Sequence, residues 1–130
     1  MTETRMIQGI DISNLIKARA NFERFRIEMK TDRDKAGAIQ AFEYSFELSW
    51  KTLKRILDYQ GVETRSPRET IRQAALNKLI VSPEAWFVFL EKRNISSHSY
   101  KEENAESVIG IFDQFSLAMS ELINNLEQLK

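Results

Sequence analysis

The sequence predicts an all-α protein, an antiparallel helical bundle built from three long helices and two short ones. Three observations carry that expectation. Apolar side chains recur at alternating spacings of three and four along most of the chain. Two segments open on Ser-Pro, a helix-start signature. No segment shows sustained strand alternation bounded by hairpin turns.

The first stripe is Leu15, Ala18, Phe22, Phe25 and Met29. It marks one face of a helix that starts near Asp11 or Ser13, both good N-cap residues. The segment TDRDK then interrupts the apolar pattern. The next stripe, Ile39, Phe42, Phe46, Trp50, Leu53 and Leu57, predicts a long helix from about Asp34 to Tyr59. Gly61 stops it, because glycine adopts the left-handed conformation that closes helix ends. Tyr44 and Trp50 widen the apolar arc, which makes this the central helix.

Two short helices follow. In SPRE, Ser66 caps, Pro67 takes the first helical position and Glu69 completes a capping box. In SPEAW, Ser82 and Pro83 repeat the start, followed by Trp86, Phe87, Phe89 and Leu90. The last helix is expected from about Asn104 to the end, on Val108, Phe112, Phe115, Met119, Leu122, Leu126 and Leu129. Ile109, Ile111, Leu117 and Ile123 fall off that seam, which suggests a partner helix, as in a homodimer.

Composition narrows the function. The 130 residues suit one domain, 1–130. There is no cysteine, which excludes disulfides, thiolate nucleophiles and cysteine-held metals. Neither a secretory leader nor a membrane span is expected, because MTETRMIQGIDIS lacks a long apolar run and no stretch approaches about 20 apolar residues. A cytoplasmic protein is the expectation. Nineteen basic residues balance 19 acidic ones, so the whole-molecule field does not drive strong nucleic-acid binding. The stretch from Val62 to Lys101 is nonetheless modestly basic, as a mixed solvated surface or as a feature of a site.

RNISSHSY is the segment that looks like chemistry, and it holds the only histidine, His98. Five residues along an ideal helix separate two side chains by roughly 140°, so Arg93 and His98 would not share a face. Ile95, Ser96, Ser97 and Ser99 form helices poorly, so the helix is expected to loosen or end here. Arg93 and His98 then converge on one pocket, or copies from two subunits do. These two residue types suit chemistry in which protons are transferred and an anion is held. Histidine titrates in the right range for the proton transfers. Arginine holds a phosphate by paired hydrogen bonds. Asn94 is placed to orient His98 or bind a phosphate oxygen, and Ser96 and Ser97 to donate hydrogen bonds. No metal site is expected, since Glu102 and Glu103 have no second histidine or cysteine beside them.

RNISSHSY resembles the Arg-x4-His-x-Tyr motif of the HEPN superfamily. GAIQAFEYSFELSWKTLKRIL, RETIRQAALNKLI and WFVFLEKRNISSHSY resemble its nucleotidyltransferase substrate-binding branch, and the similarity covers about residues 10 to 127. The resemblance implies a four-helix up-and-down bundle with a short extra helix, forming a homodimer. It implies an endoribonuclease toxin with Arg93 and His98 catalytic, Asn94 and Ser97 in support, and no cofactor; metal-free RNA cleavage needs the 2′-hydroxyl deprotonated, the leaving 5′-oxygen protonated and the phosphorane charge stabilised. It further implies a minimal nucleotidyltransferase antitoxin that silences the toxin by adenylylating Tyr100, and an RNA substrate. The alternative within the same family is a non-catalytic subunit that presents substrate to the nucleotidyltransferase. Apart from the resemblance, Tyr100 also reads as a packing tyrosine.

Overall fold

The computed structural model describes residues 4–98 and 102–129, with side chains for all of these except 97, 98, 102 and 103. Six helices account for most of them: α1 (Ser13–Ile27), α2 (Asp32–Tyr59), α3 (Pro67–Leu76), α4 (Pro83–His98), α5 (Glu102–Ile109) and α6 (Phe112–Glu127). No helix among the described residues is long and apolar enough to cross a membrane.

Local chemistry sets the helix starts. Thr31 and Asp34 form a full capping box on α2: the Thr31 hydroxyl accepts from the Asp34 N–H at 3.1 Å, and the Asp34 carboxylate accepts from the Thr31 N–H at 3.0 Å. The Thr31 and Lys30 backbone N–H groups hold the Asp34 carboxyl below its ordinary range. The helix thus begins inside TDRDK, two residues before the sequence expectation, because the polar run that interrupts the stripe is itself the cap. Ser66 caps α3 as expected, accepting from Glu69 N–H at 3.1 Å. Glu69 reaches the N–H of Arg65, not that of Ser66, so the box is displaced by one residue.

At the end of α2, Gly61 has φ +84° and the Val62 N–H donates to the Leu57 carbonyl at 2.8 Å. This is the left-handed closure expected of that glycine. Neither candidate cap of α1 bonds its first turn in the usual way; its cap position is Ile12, without a side-chain hydrogen bond. Asp11 instead accepts from the backbone and hydroxyl of Ser13.

Three sequence expectations are corrected. Met6–Ile7 and Ile10–Asp11 pair as a minimal antiparallel hairpin. Its two-residue turn, Gln8-Gly9, has φ +50° and +77°, the sign pattern that matches strand twist. The expected last helix is two helices broken at Gly110 and Ile111, where the Gly110 N–H returns to Glu106 and the Ile111 N–H to Val108. The surplus apolar residues there do not wait for a partner helix. Ile111 and Ile123 are buried in this chain's own core and Ile109 packs on it, leaving Leu117 exposed.

The helices meet around an aromatic cluster. Phe115 of α6 lies edge-on to Phe22 of α1, Phe42 of α2 and Phe89 of α4, at centroid distances of 5.2, 4.8 and 5.1 Å. Trp86 of α4 joins at 6.1 Å. Residues 28–31 join α1 to α2, and the two helices pack along each other, so they run antiparallel. Phe25, expected in the first stripe, ends up a third exposed because α1 stops at Ile27, where the stripe leaves the core.

Candidate functional site

The α4 helix carries its buried stripe on Trp86, Phe89 and Leu90. Arg93 is three residues past Leu90 and four past Phe89, so it continues that stripe where the core ends. Its guanidinium meets a carboxylate of α2: Arg93 Nη2 stands 3.0 Å from Glu47 Oε2. Both side chains are about a third exposed. Lys51, one turn further along α2, stands 3.9 Å from the same carboxylate. Such a half-exposed pair is worth about 1 kcal/mol or less. It aims Arg93 without committing it, since a phosphate accepting paired hydrogen bonds competes well with that energy.

The helix does not loosen at the serines. α4 stays helical through His98. The Ser96 hydroxyl donates to the Arg93 carbonyl at 2.9 Å, so a residue with poor helix propensity satisfies its own polar group within the helix. The expected loosening is corrected as far as His98, where α4 closes; Ser99, the last of those serines, lies outside the described residues. On a continuous helix, positions 93 and 98 point about 140° apart. Position 98 lies on the other stripe, one turn beyond Asn94, which follows Phe87 and Glu91. Convergence of the two groups by unwinding inside one protomer does not occur up to residue 98.

Asn94 is exposed, and its Oδ1 accepts a long 3.4 Å bond from Arg93 Nη1. The backbone of Ser97 and His98 belongs to α4, but their side chains lie outside the described residues, as does all of Tyr100. Two grooves flank this end of α4. One, of about 760 Å³, runs between α3, α4 and α5, past Arg68, Phe87, Asn94 and Asn104. The other, of about 700 Å³, lies between α2, α4 and α5 and includes Lys35, Glu43, Ser96 and Glu106. Phe87, Val88, Leu90 and Ile95 give the first groove a largely apolar wall. Lys92 donates to Ser107 at 2.5 Å and Lys35 pairs with Glu106 at 3.1 Å, which ties α5 to α4 and α2 across these grooves.

Glu47 is the site residue that sequence reasoning missed. Its signal was a carboxylate at a half-buried position one residue after the core Phe46, four residues before Lys51. Among the described residues, no group of three or more His, Cys, Asp or Glu is placed to hold a metal ion.

Comparison with known proteins gives this arrangement a family. A Haemophilus influenzae protein named "Probable ribonuclease HepT" is 36% identical over 98 residues, covering 72% of this chain and 67% of that protein. Another similar structure, also from Haemophilus influenzae, was described as revealing the fold of a substrate binding domain of a nucleotidyltransferase. It superposes with a TM-score of 0.79 at 30% identity, over 90% of this chain and 99% of that one. A Thermus thermophilus structure superposes with a TM-score of 0.81 at 26% identity, over 88% and 99%. The family model described as nucleotidyltransferase substrate binding protein like matches residues 10–128, and the chain belongs to that family.

Proposed function

We propose that the chain is a metal-independent endoribonuclease that works as a homodimer and is neutralised by a cognate minimal nucleotidyltransferase. The observation that carries this reading is the position of RNISSH on the closing turns of a continuous α4, with a groove on either side and Arg93 aimed from α2 by Glu47. The relative named a probable ribonuclease supports it.

In the reaction, the 2′-oxygen attacks the adjacent phosphorus and the bond from phosphorus to the 5′-oxygen breaks. A base takes the 2′-hydroxyl proton, and an acid delivers a proton to the leaving 5′-oxygen. The product is a 2′,3′-cyclic phosphate beside a 5′-hydroxyl end. His98 suits either proton transfer, and one imidazole does not do both at once. Two copies of His98 in a dimer supply the pair. Arg93 exchanges Glu47 for the phosphate and stabilises the charge that develops on it. Asn94 and Ser97 support by orienting His98 or binding a phosphate oxygen.

Tyr100 is the proposed switch. Transfer of AMP from ATP to the Tyr100 hydroxyl oxygen, with pyrophosphate leaving and the hydroxyl proton lost, puts a phosphodiester anion and an adenosine two residues from His98, which opposes RNA binding by charge and by bulk. Mass spectrometry of protein co-expressed with an active partner should find one added AMP, absent in Tyr100→Phe. No added mass would remove the switch from the account.

Expression without the partner should arrest growth, and His98→Ala should relieve the arrest at equal protein level. Equal toxicity of His98→Ala would count against the nuclease. A second reading, a non-catalytic subunit presenting substrate to a nucleotidyltransferase, draws on the engaged charge of Arg93 and on the description of the 30%-identical structure. Stable complex formation with no cleavage of RNA would favour it.

A further inference from the structure

Phe87 of α4 is half-buried, and two guanidinium groups lie over its ring: Arg68 at 5.0 Å and Arg72 at 6.0 Å from the centroid. Arg68 and Arg72 stand one turn apart on the exposed face of α3, while Ile71 between them is buried. Among the described arginines only Arg5, Arg26 and Arg93 form ion pairs, so what sets Arg68 and Arg72 apart from the other arginines is the single aromatic ring they share. Arg68 and Arg72 have no carboxylate within ion-pair distance among the described residues. In a chain with zero net charge, two guanidinium groups over one aromatic ring, without a carboxylate partner among the described residues, form a local feature that the whole-molecule charge conceals.

The groove beneath them extends along α4 to Asn94, with Glu91 the one carboxylate among its described lining residues. The α4 stripe that passes through Phe87, Glu91 and Asn94 reaches position 98 after about 16 Å of helix axis. A ligand lying in this groove therefore runs toward the candidate chemistry.

A single strand of nucleic acid matches both features of the groove. Its phosphates accept paired hydrogen bonds from guanidinium groups, and its bases offer flat faces to the half-buried Phe87 ring and to the planar guanidinium groups over it. An acidic peptide would use the charge and leave the ring unused. We propose that the Arg68–Arg72–Phe87 groove is a subsite for the single-stranded RNA that flanks the cleaved phosphate. This rests on the ribonuclease reading. Arg68 and Arg72 position the strand and take no part in bond breaking.

The test is binding of a short, labelled 2′-O-methyl oligouridine, which lacks the attacking hydroxyl, measured by fluorescence anisotropy over a range of salt concentrations. The full chain should bind it, and Arg68→Ala/Arg72→Ala should bind about tenfold or more weakly. The dependence of log affinity on log salt should flatten by about 1.4, near 0.7 per lost phosphate contact. Arg68→Lys/Arg72→Lys keeps the charge and loses the planar guanidinium, so it should keep the salt slope and still bind several-fold more weakly. Arg24→Ala on α1 removes one charge outside the groove and should change affinity less than about twofold.

Unchanged affinity and slope in the double alanine variant, with the parent chain binding, would overturn the subsite and leave the ribonuclease reading standing. An equal loss in Arg24→Ala would reduce the effect to general charge and overturn it too. A double variant that loses self-association while keeping RNA affinity would assign the groove to a second copy of the chain, again overturning the proposal. A parent chain with no affinity for the oligonucleotide would bring down both the subsite and the ribonuclease reading.

Discussion

An Arg93→Ala chain should fold normally and lose RNA cleavage by about 10²- to 10³-fold in kcat, the scale of removing one group that stabilises transition-state charge. Arg93→Lys keeps a cation but not the paired donors and should fall between the two. The partner residue gives the argument its second arm. Glu47 holds Arg93 by an ion pair that costs at most about 1 kcal/mol to break, so Glu47→Gln should lower KM for RNA by up to about fivefold. Steady-state kinetics on a fluorogenic RNA separates these outcomes. Activity of Arg93→Ala equal to the parent would remove Arg93 from the chemistry, and a raised KM in Glu47→Gln would mean that the aim the carboxylate gives the guanidinium outweighs its competition with the phosphate.

Phe115→Ala should have the largest effect on the fold. Phe115 is fully buried and meets four aromatic rings drawn from α1, α2 and α4. Removing it leaves a cavity where those helices converge, a loss of about 3–5 kcal/mol. In a domain of this size each kcal/mol corresponds to about 3–5 °C in Tm, so a fall of roughly 10–20 °C is expected by thermal unfolding. Phe115→Leu refills most of the space and should cost far less. A small change in Tm for Phe115→Ala would show that the cluster is not the centre of the core.

The helices and their inner faces were legible because apolar periodicity is a local signal that a core obeys. Phe22, Phe42, Phe46, Phe89 and Phe115 all lie where the stripes placed them. What escaped was signalled by one or two residues set against a strong pattern. Gly110 and Ile111 break an apolar stripe that otherwise reads straight through to Leu129. Gln8-Gly9 makes a hairpin too short to show alternation.

At the site, single-residue propensity misled. The serines predicted that the helix loosens or ends here, but α4 stays helical as far as His98, with the Ser96 hydroxyl satisfied on its own helix. That regularity sharpens the functional argument, because it separates the directions of positions 93 and 98 and makes a site shared between two copies the simpler route to their cooperation. Glu47 was invisible as a partner of Arg93, because no local rule links a residue of α2 to one 46 positions later. Only the packing of the two helices makes that pair.

The central claim is that this chain cuts RNA with His98 and without a metal. The most direct measurement is cleavage of single-stranded RNA by the purified protein in excess chelator, beside His98→Ala prepared identically, with the ends of the products identified. The account predicts chelator-resistant cleavage that leaves 2′,3′-cyclic phosphate and 5′-hydroxyl ends and disappears in His98→Ala. Cleavage abolished by the chelator, or retained at the parent rate in His98→Ala, would contradict it.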